Sequence, residues 1–302
     1  MVSITVPLRI TYDTKGATPV VDIIAALEAA DSAIQDAISL LPSLISGLNV
    51  ERSEINVHSL TQQSPLRELF GVSLILAFQD DLTKEIPPML EDIFKIKIPE
   101  SYDSVVTVVT MIVIFYGASF LRDAAVKSVQ DNALRRQVDA LISQLAATTG
   151  RTESDVRKVF DAKYSRPGPV KRLAKTVGGF FAPSQREGAV PVLFDRQEVG
   201  SEVIREVPYP REFSAKEDFE RYDPYSMVVL EIHAQDKDKA NTGWAAVPKG
   251  ISEKRLRMKL MEPVTAMDLW ARDQIRADVT IISHLTANGY DPAEIHVTRV
   301  YD

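Results

Sequence analysis

Alternating apolar and polar residues predict a β-strand at the start of the chain. Every second residue from 2 to 12 is apolar or aromatic, and the residues between them are polar apart from Pro7. A period of two places the apolar side chains on one buried face. Because proline cannot donate a hydrogen bond to a neighbouring strand, Pro7 places this strand at or near the edge of its sheet.

Helical spacing follows the first strand and then gives way to two more strands. Apolar residues recur at intervals of three and four from 20 to 41, which predicts an amphipathic helix. The patterns over 55–61 and 68–78 predict two further strands. The first 101 residues are therefore predicted to form a β-α-β-β unit.

The middle of the chain is dominated by residues 104–121, a run of eighteen without a charged side chain. A membrane-spanning helix needs about 20 apolar residues, with a lower limit of roughly 17. The run therefore fits either a membrane span or a deeply buried core element, and its β-branched residues also permit a buried strand. Five of its residues are the candidate membrane or oligomer contacts: Val105, Val109, Ile112, Phe115 and Gly117.

Amphipathic helices predicted after this run complete an apolar and helical middle of residues 102–162. Residues 163–224 are predicted to be a basic segment followed by a proline-rich linker or surface arm with little periodicity. Five short strands predicted within 225–302 indicate a small barrel or sandwich. The predicted fold class is therefore α+β.

The charge distribution adds a candidate binding surface. The chain is acidic overall, with net charge −7 and a pI of about 5.3, so the whole molecule is not a general polyanion binder. Between 151 and 175, however, eight Lys or Arg residues outnumber three acidic ones. The candidate contacts to anionic lipid or nucleic acid are Lys163, Arg166, Lys171, Arg172, Lys175, Arg255, Arg257 and Lys259. The same charges also fit a solvated surface without a partner.

Aromatic residues extend the nucleic-acid interpretation of this segment. Tyr164, Phe180 and Phe181 are the rings expected to stack on bases if the partner is nucleic acid. Trp244 and Trp270 are instead expected to anchor the core of the β-rich domain.

Catalytic motifs are missing from the sequence. There is no Gly-rich phosphate loop, no nucleophile elbow and no kinase signature, which leaves an enzyme possible but not indicated. The four histidines have no metal-ligand spacing and there is no cysteine, so we predict neither a metal site nor a cofactor. The N-terminus lacks the pattern of a signal peptide. We therefore expect a cytoplasmic protein, or one on the cytoplasmic face of the inner membrane or embedded in it.

The order of these parts resembles that of a loose class of uncharacterised bacterial proteins. The resemblance is carried by an N-terminal strand ITVPLRITYD, an apolar run ending in YGASF, and a terminal β-rich module with a W-x-x-x-P-x-G pattern. Some proteins of that class are encoded near mobile elements or antiviral genes. The resemblance implies a bacterial immunity or prophage role and carries no catalytic residue to this chain.

Two functional hypotheses follow from the sequence. The first is a non-enzymatic effector or assembly protein that self-associates through the helices of 104–145, touches the inner membrane and holds anionic lipid. The alternative is a soluble module that binds nucleic acid or a nucleotide through the basic segment and the β-rich domain. The apolar run is core in the second hypothesis and an intermolecular or membrane contact in the first.

Overall fold

The structure is a computed structural model, and it describes residues 2–62, 65–78, 105–126, 133–194, 197–207, 219–286 and 289–301. The chain divides into two compact units. The N-terminal unit comprises Met1–Tyr164 and Gly168–Ser214, and the barrel unit comprises Ala215–Asp302 with Ser165–Pro167. The boundary predicted at residue 101 and the linker residues 208–218 lie outside the described residues.

Five strands and six helices make up the described part of the N-terminal unit. Its elements are β1 (Val2–Tyr12), α1 (Val20–Leu44), β2 (Leu48–Gln62), β3 (Leu66–Phe78), α2 (Val105–Val126), α3 (Ala133–Thr149), α4 (Glu153–Lys163), α5 (Pro167–Arg186), β4 (Val192–Phe194), β5 (Gln197–Val199) and α6 (Ser201–Arg205). The strands form one antiparallel sheet in the order β2-β3-β1-β4-β5. The predicted β-α-β-β order is thus present, and β4 and β5 extend its sheet.

The position of β1 corrects the expectation drawn from Pro7. The strand lies in the middle of the sheet, between β3 and β4, and not at its edge. However, β4 pairs only with Ile10, Thr11 and Tyr12, whereas β3 pairs along all of β1. No described strand therefore needs a hydrogen bond from Pro7 on the β4 side, and this explains why a central strand tolerates a proline.

The apolar helix α2 lies in the core of the N-terminal unit. The side chains from Val105 to Phe115 are at most 1% exposed. Phe115 packs on Phe181 of α5 at 6.2 Å between ring centroids. A Cβ at Gly117 would come within 2.8 Å of the Leu173 side chain, so the missing side chain allows α5 to approach.

The region predicted as a basic segment and a proline-rich linker, residues 163–224, contains regular elements. Residues 167–186 form α5, and residues 192–194 form β4, which pairs with β1. Gly178 and Gly179 both lie within α5. At Gly179 a Cβ would lie 2.8 Å from the backbone oxygen of Ala25, so this glycine lets α5 pack closely on α1.

A closed five-stranded barrel forms the other unit. Its elements are β6 (Glu220–Ala234), β7 (Trp244–Pro248), β8 (Leu256–Leu260), α7 (Ala266–Leu269), β9 (Gln274–Thr286) and β10 (Gly289–Tyr301). The strand order around the barrel is β10-β8-β7-β6-β9, and β9 pairs with β10 to close it. Successive side chains of β8 alternate between the interior and the outside of the barrel. Leu256, Met258 and Leu260 are buried in the interior, while Arg257 points outward. The predicted α+β class is confirmed, and of the two alternatives for this unit, a barrel or a sandwich, the structure shows the barrel.

Candidate functional site

The connectivity of the barrel points to one of its surfaces. The first strand, β6, pairs with the second and the fourth, and the third strand, β8, runs parallel to the fifth. This Greek-key connectivity is that of the five-stranded barrels that bind oligonucleotides and oligosaccharides, chiefly across their second and third strands. In this chain those strands are β7 and β8. Because a fold alone does not establish a function, the side chains on this surface decide what it can bind.

A groove of about 640 Å³ lies on that surface. Its lining residues come from the end of β6, the start of β7 and the residues that lead into β8: Ala234, Thr242, Gly243, Trp244, Ala245, Arg255, Leu256 and Arg257. Only the two arginines are charged. The groove therefore offers two guanidinium groups beside residues that, apart from Thr242, are apolar or small.

The three cations predicted on this strand do not have the same surroundings. Arg255 and Arg257 line the groove, and no described carboxylate pairs with either one. The Arg257 guanidinium donates a hydrogen bond of 3.5 Å to the backbone oxygen of Asn241. Lys259 instead forms an ion pair of 2.7 Å with Glu294 of β10. Arg255 and Arg257 thus remain available to an anionic ligand, whereas Lys259 is already neutralised.

Glu294 shows how firmly Lys259 is held. Burial raises the pKa of the Glu294 carboxyl, but hydrogen bonds from Lys259 and His296 outweigh burial and hold that pKa below its ordinary value. His296 lies 2.6 Å from the carboxylate. An anion that competed for Lys259 would have to displace this carboxylate.

The loop between β6 and β7 forms part of the groove, because Thr242 and Gly243 line it. Trp244 is 2% exposed, and its indole N–H donates to the backbone oxygen of Lys239 at 2.5 Å. Gly243 has a φ of +81°, and a Cβ there would lie 2.5 Å from the Cβ of Asp236. Trp244 is the core anchor that the sequence predicted, and the groove has no exposed ring. Trp270 differs from the prediction, since it is 41% exposed.

The cations of the basic segment face carboxylates of α1 in the same chain. Asp36 is buried and pairs with Lys163 at 3.1 Å and with Arg172 at 3.2 Å. Lys175 lies 3.6 Å from Glu28. These pairs give the local excess of Lys and Arg a structural role, in joining α1 to α4 and α5. Four cations of the set, Arg166, Lys171, Arg172 and Lys175, are exposed at the surface.

The stacking role predicted for three rings of this segment was wrong. Tyr164, Phe180 and Phe181 are at most 1% exposed. Phe180 stacks on Phe194 of β4 at 5.4 Å, and the Tyr164 hydroxyl donates to Asp36 at 3.1 Å. The helix α5 presents its cations outward and turns Phe180 and Phe181 into the core, and Tyr164 at the end of α4 is buried as well. None of the three rings can therefore reach a base.

The five candidate membrane or oligomer contacts on α2, namely Val105, Val109, Ile112, Phe115 and Gly117, lie together in the interior of the N-terminal unit. Among the described residues α2 is the one helix long and apolar enough to cross a membrane, and 78% of the qualifying window is buried inside the fold. The core helix of a water-soluble protein meets the same criterion. Packing within the chain therefore shields α2 without requiring lipid or a second subunit.

A buried carboxyl group in the N-terminal unit was missed by the sequence analysis. Glu68 of β3 is 0% exposed, and neither carboxyl oxygen has a hydrogen-bond partner among the described residues. Burial raises its pKa from 4.5 to about 8. The hydroxyl of Tyr12, on the neighbouring strand, is also buried without such a partner. The signal was present in the alternation of β3, because Glu68 has the same parity as the buried residues Leu66 and Phe70.

Comparison with protein-family models, with curated proteins and with solved structures gave no match. No group of three or more His, Asp or Glu side chains among the described residues is arranged to hold a metal ion. The candidate site therefore rests on the geometry of the groove and on the two arginines that line it.

Proposed function

We propose that the protein is a non-catalytic binding protein that holds single-stranded nucleic acid in the groove of the barrel unit. The observation that carries this proposal is the position of Arg255 and Arg257. They line a groove on the second and third strands of a Greek-key barrel, without a described carboxylate to neutralise them. Guanidinium groups bind phosphate oxygens through two parallel hydrogen bonds, so the pair suits two positions along a phosphate backbone.

The composition of the groove also favours a particular mode of binding. Base stacking needs an exposed aromatic ring, and the single ring in the groove, Trp244, is buried. Contacts to phosphates carry little sequence information and depend strongly on salt. We therefore propose salt-sensitive binding with little sequence preference.

Contact with a membrane through α2 is the weaker candidate. The helix would have to leave the core, exposing apolar side chains of α1 and α5 that now pack against it. A cytoplasmic location and a bacterial antiviral or mobile-element role both accord with nucleic-acid binding, and both remain predictions. An oligosaccharide ligand is a second possibility for such barrels, and it is an outcome of the experiment below.

Replacing both groove arginines is expected to weaken binding at least tenfold. Each charge-assisted hydrogen bond contributes about 1.5–3 kcal/mol, so Arg255→Ala with Arg257→Ala removes enough free energy for this loss. The salt dependence of the affinity should also flatten by about one unit of slope for each phosphate that the variant no longer binds. The measurement is fluorescence anisotropy of a labelled oligothymidylate of about 15 nucleotides, titrated between about 50 and 200 mM salt.

The control replaces two exposed arginines of the same barrel that lie outside the groove, Arg276→Ala with Arg299→Ala. These changes remove the same net charge and should leave most of the affinity. Equal losses in the two double variants would show that the groove is not the site. Unaltered binding in the groove variant, or binding of neutral oligosaccharide in place of oligothymidylate, would also contradict the proposal.

A further inference from the structure

The edge strand β2 is an open pairing surface in the N-terminal unit. It is fifteen residues long and lies at one end of the sheet order, and in the described part of the chain it pairs with β3 alone. Nearly every residue from 51 to 61 is exposed. Natural edge strands commonly carry charged residues, especially Lys, or Pro to prevent pairing with another chain. The strand β2 contains neither Lys nor Pro, and its charged residues are Glu51, Arg52 and Glu54.

The strand also exposes an apolar row beside its unpaired backbone. Ile55, Val57 and Leu60 lie opposite Val72, Phe70 and Glu68 of β3, whose side chains face the helices. The partners on β3 are buried, yet Val57 is 53% and Leu60 is 43% exposed.

The apolar row on β2 therefore lies on the same face of the sheet as the buried residues of β3. On β3 that face is covered by helices, whereas on β2 it is exposed. A second sheet that joined at this edge could bury Ile55 and Val57 against the same two residues of its own strand.

We propose that β2 pairs antiparallel with β2 of a second copy of the chain, with the twofold axis at Asn56. Strand addition at an open edge satisfies the backbone groups of both copies in one continuous sheet. An antiparallel pair of identical strands is isologous, so every contact made on one side of the axis is repeated on the other. The occupant of this edge is accordingly the protein itself.

The side chains around Asn56 fit this register. Ile55 lies opposite Val57 of the second copy, which brings four apolar side chains together on the face that continues the core. On the other face Glu54 of one copy lies opposite His58 of the second copy. The twofold axis repeats this contact, so two carboxylate–imidazole pairs form. The His58 ring lies over Gly71 of β3, where a Cβ would be 2.1 Å from its Nε2, so the ring is held on that outer face.

The pairing of β2 with β3 shifts at two places, Val50/Arg52 and Val57/Ser59, where Glu51 and His58 have no partner on β3. The regular stretch between these shifts, residues 52–57, includes the proposed axis. The self-association predicted from the sequence is thereby moved from α2, whose apolar residues are buried within one chain, to the edge of the sheet.

Single cysteines provide the sharpest test, because the chain contains no cysteine of its own. Residues directly opposite each other in an antiparallel pair have Cα atoms about 4.5–5.5 Å apart, within the range that a disulfide requires. Asn56→Cys should therefore form a covalent dimer under mild oxidation. Asn49→Cys is the matched control on the same strand, since the two copies of residue 49 would be about 46 Å apart at roughly 3.3 Å per residue.

The unmodified protein should have twice the mass of one 33.6-kDa chain in light scattering at micromolar concentration. Val57→Lys should convert it to a monomer, because two lysines would face the apolar row. Val20→Lys changes a more exposed valine of α1 and should leave the dimer intact.

A monomeric unmodified protein would overturn the proposal. So would a dimer that survives Val57→Lys, or equal crosslinking through residues 49 and 56. If Val57→Lys fails to fold, the crosslinking pair decides the question by itself.

Discussion

The unmodified protein is expected to lose stability as the pH rises from 5 to 8, and the substitution Glu68→Gln is expected to abolish this loss. In the folded state burial raises the pKa of Glu68 from 4.5 to about 8. Below pH 4.5 the carboxyl is protonated in both states and makes no pH-dependent contribution. Between pH 4.5 and 8 the unfolded chain releases the proton while the folded chain keeps it. The free energy of unfolding therefore falls with rising pH, by about 1.4 kcal/mol for each pH unit.

The accumulated difference between the two proteins should reach roughly 4 kcal/mol at pH 8. The free energy of unfolding of both proteins is measured by urea unfolding at several pH values. The unmodified protein should lose stability as the pH rises, and the Glu68→Gln variant should not. Glu198→Gln, which changes an exposed glutamate of β5, should behave as the unmodified protein does. Parallel pH profiles for the unmodified protein and Glu68→Gln would show that Glu68 is not buried as described. Glu68→Leu should stabilise the protein further, because it removes a buried polar group without partners.

Gly179→Ala should destabilise the N-terminal unit by about 1–3 kcal/mol, although alanine is the better helix former. A Cβ at Gly179 would lie 2.8 Å from the backbone oxygen of Ala25 and 3.1 Å from the Cβ of Ala29. Backbone cannot rotate away as a side chain can, so α5 would have to move off α1. The measurement is the midpoint of thermal unfolding.

Gly168→Ala is the matched control for this substitution. Gly168 lies in the same helix, and a Cβ there would meet nothing within 4 Å. Alanine before Pro169 is less suited to the helical conformation than glycine, which offsets its helix-forming advantage, so this variant should stay within about 1 kcal/mol of the unmodified protein. Equal effects of the two substitutions would contradict the close approach of α5 to α1.

Local periodicity was enough to predict the main elements but not the contacts between distant ones. The alternation of β1 and β8 and the helical spacing of α1 follow from side chains within each segment. By contrast, β4 is only three residues long, and it is a strand because it pairs with β1, more than 180 residues earlier in the chain. Composition over so short a segment has no period to detect, which is why a linker was predicted there.

The same limitation applies to the candidate site. The outward alternation of Arg255 and Arg257 was visible in the sequence, whereas the neutralisation of Lys259 depends on Glu294 of β10. The cations at Lys163 and Arg172 looked available for the same reason, because Asp36 is far away in sequence and near in space. The length and hydrophobicity of α2 fit both a membrane span and a core helix. Only the packing around Phe115 and Gly117 distinguishes these two interpretations.

Ultraviolet crosslinking of the protein to oligothymidylate, followed by mass spectrometry of the modified peptides, tests most directly where nucleic acid binds. The account predicts adducts on peptides from residues 239–257, which border the groove of the barrel unit. Crosslinking should decline as salt is raised, in parallel with the affinity. Adducts confined to residues 163–175, or an absence of adducts at low salt, would contradict the account.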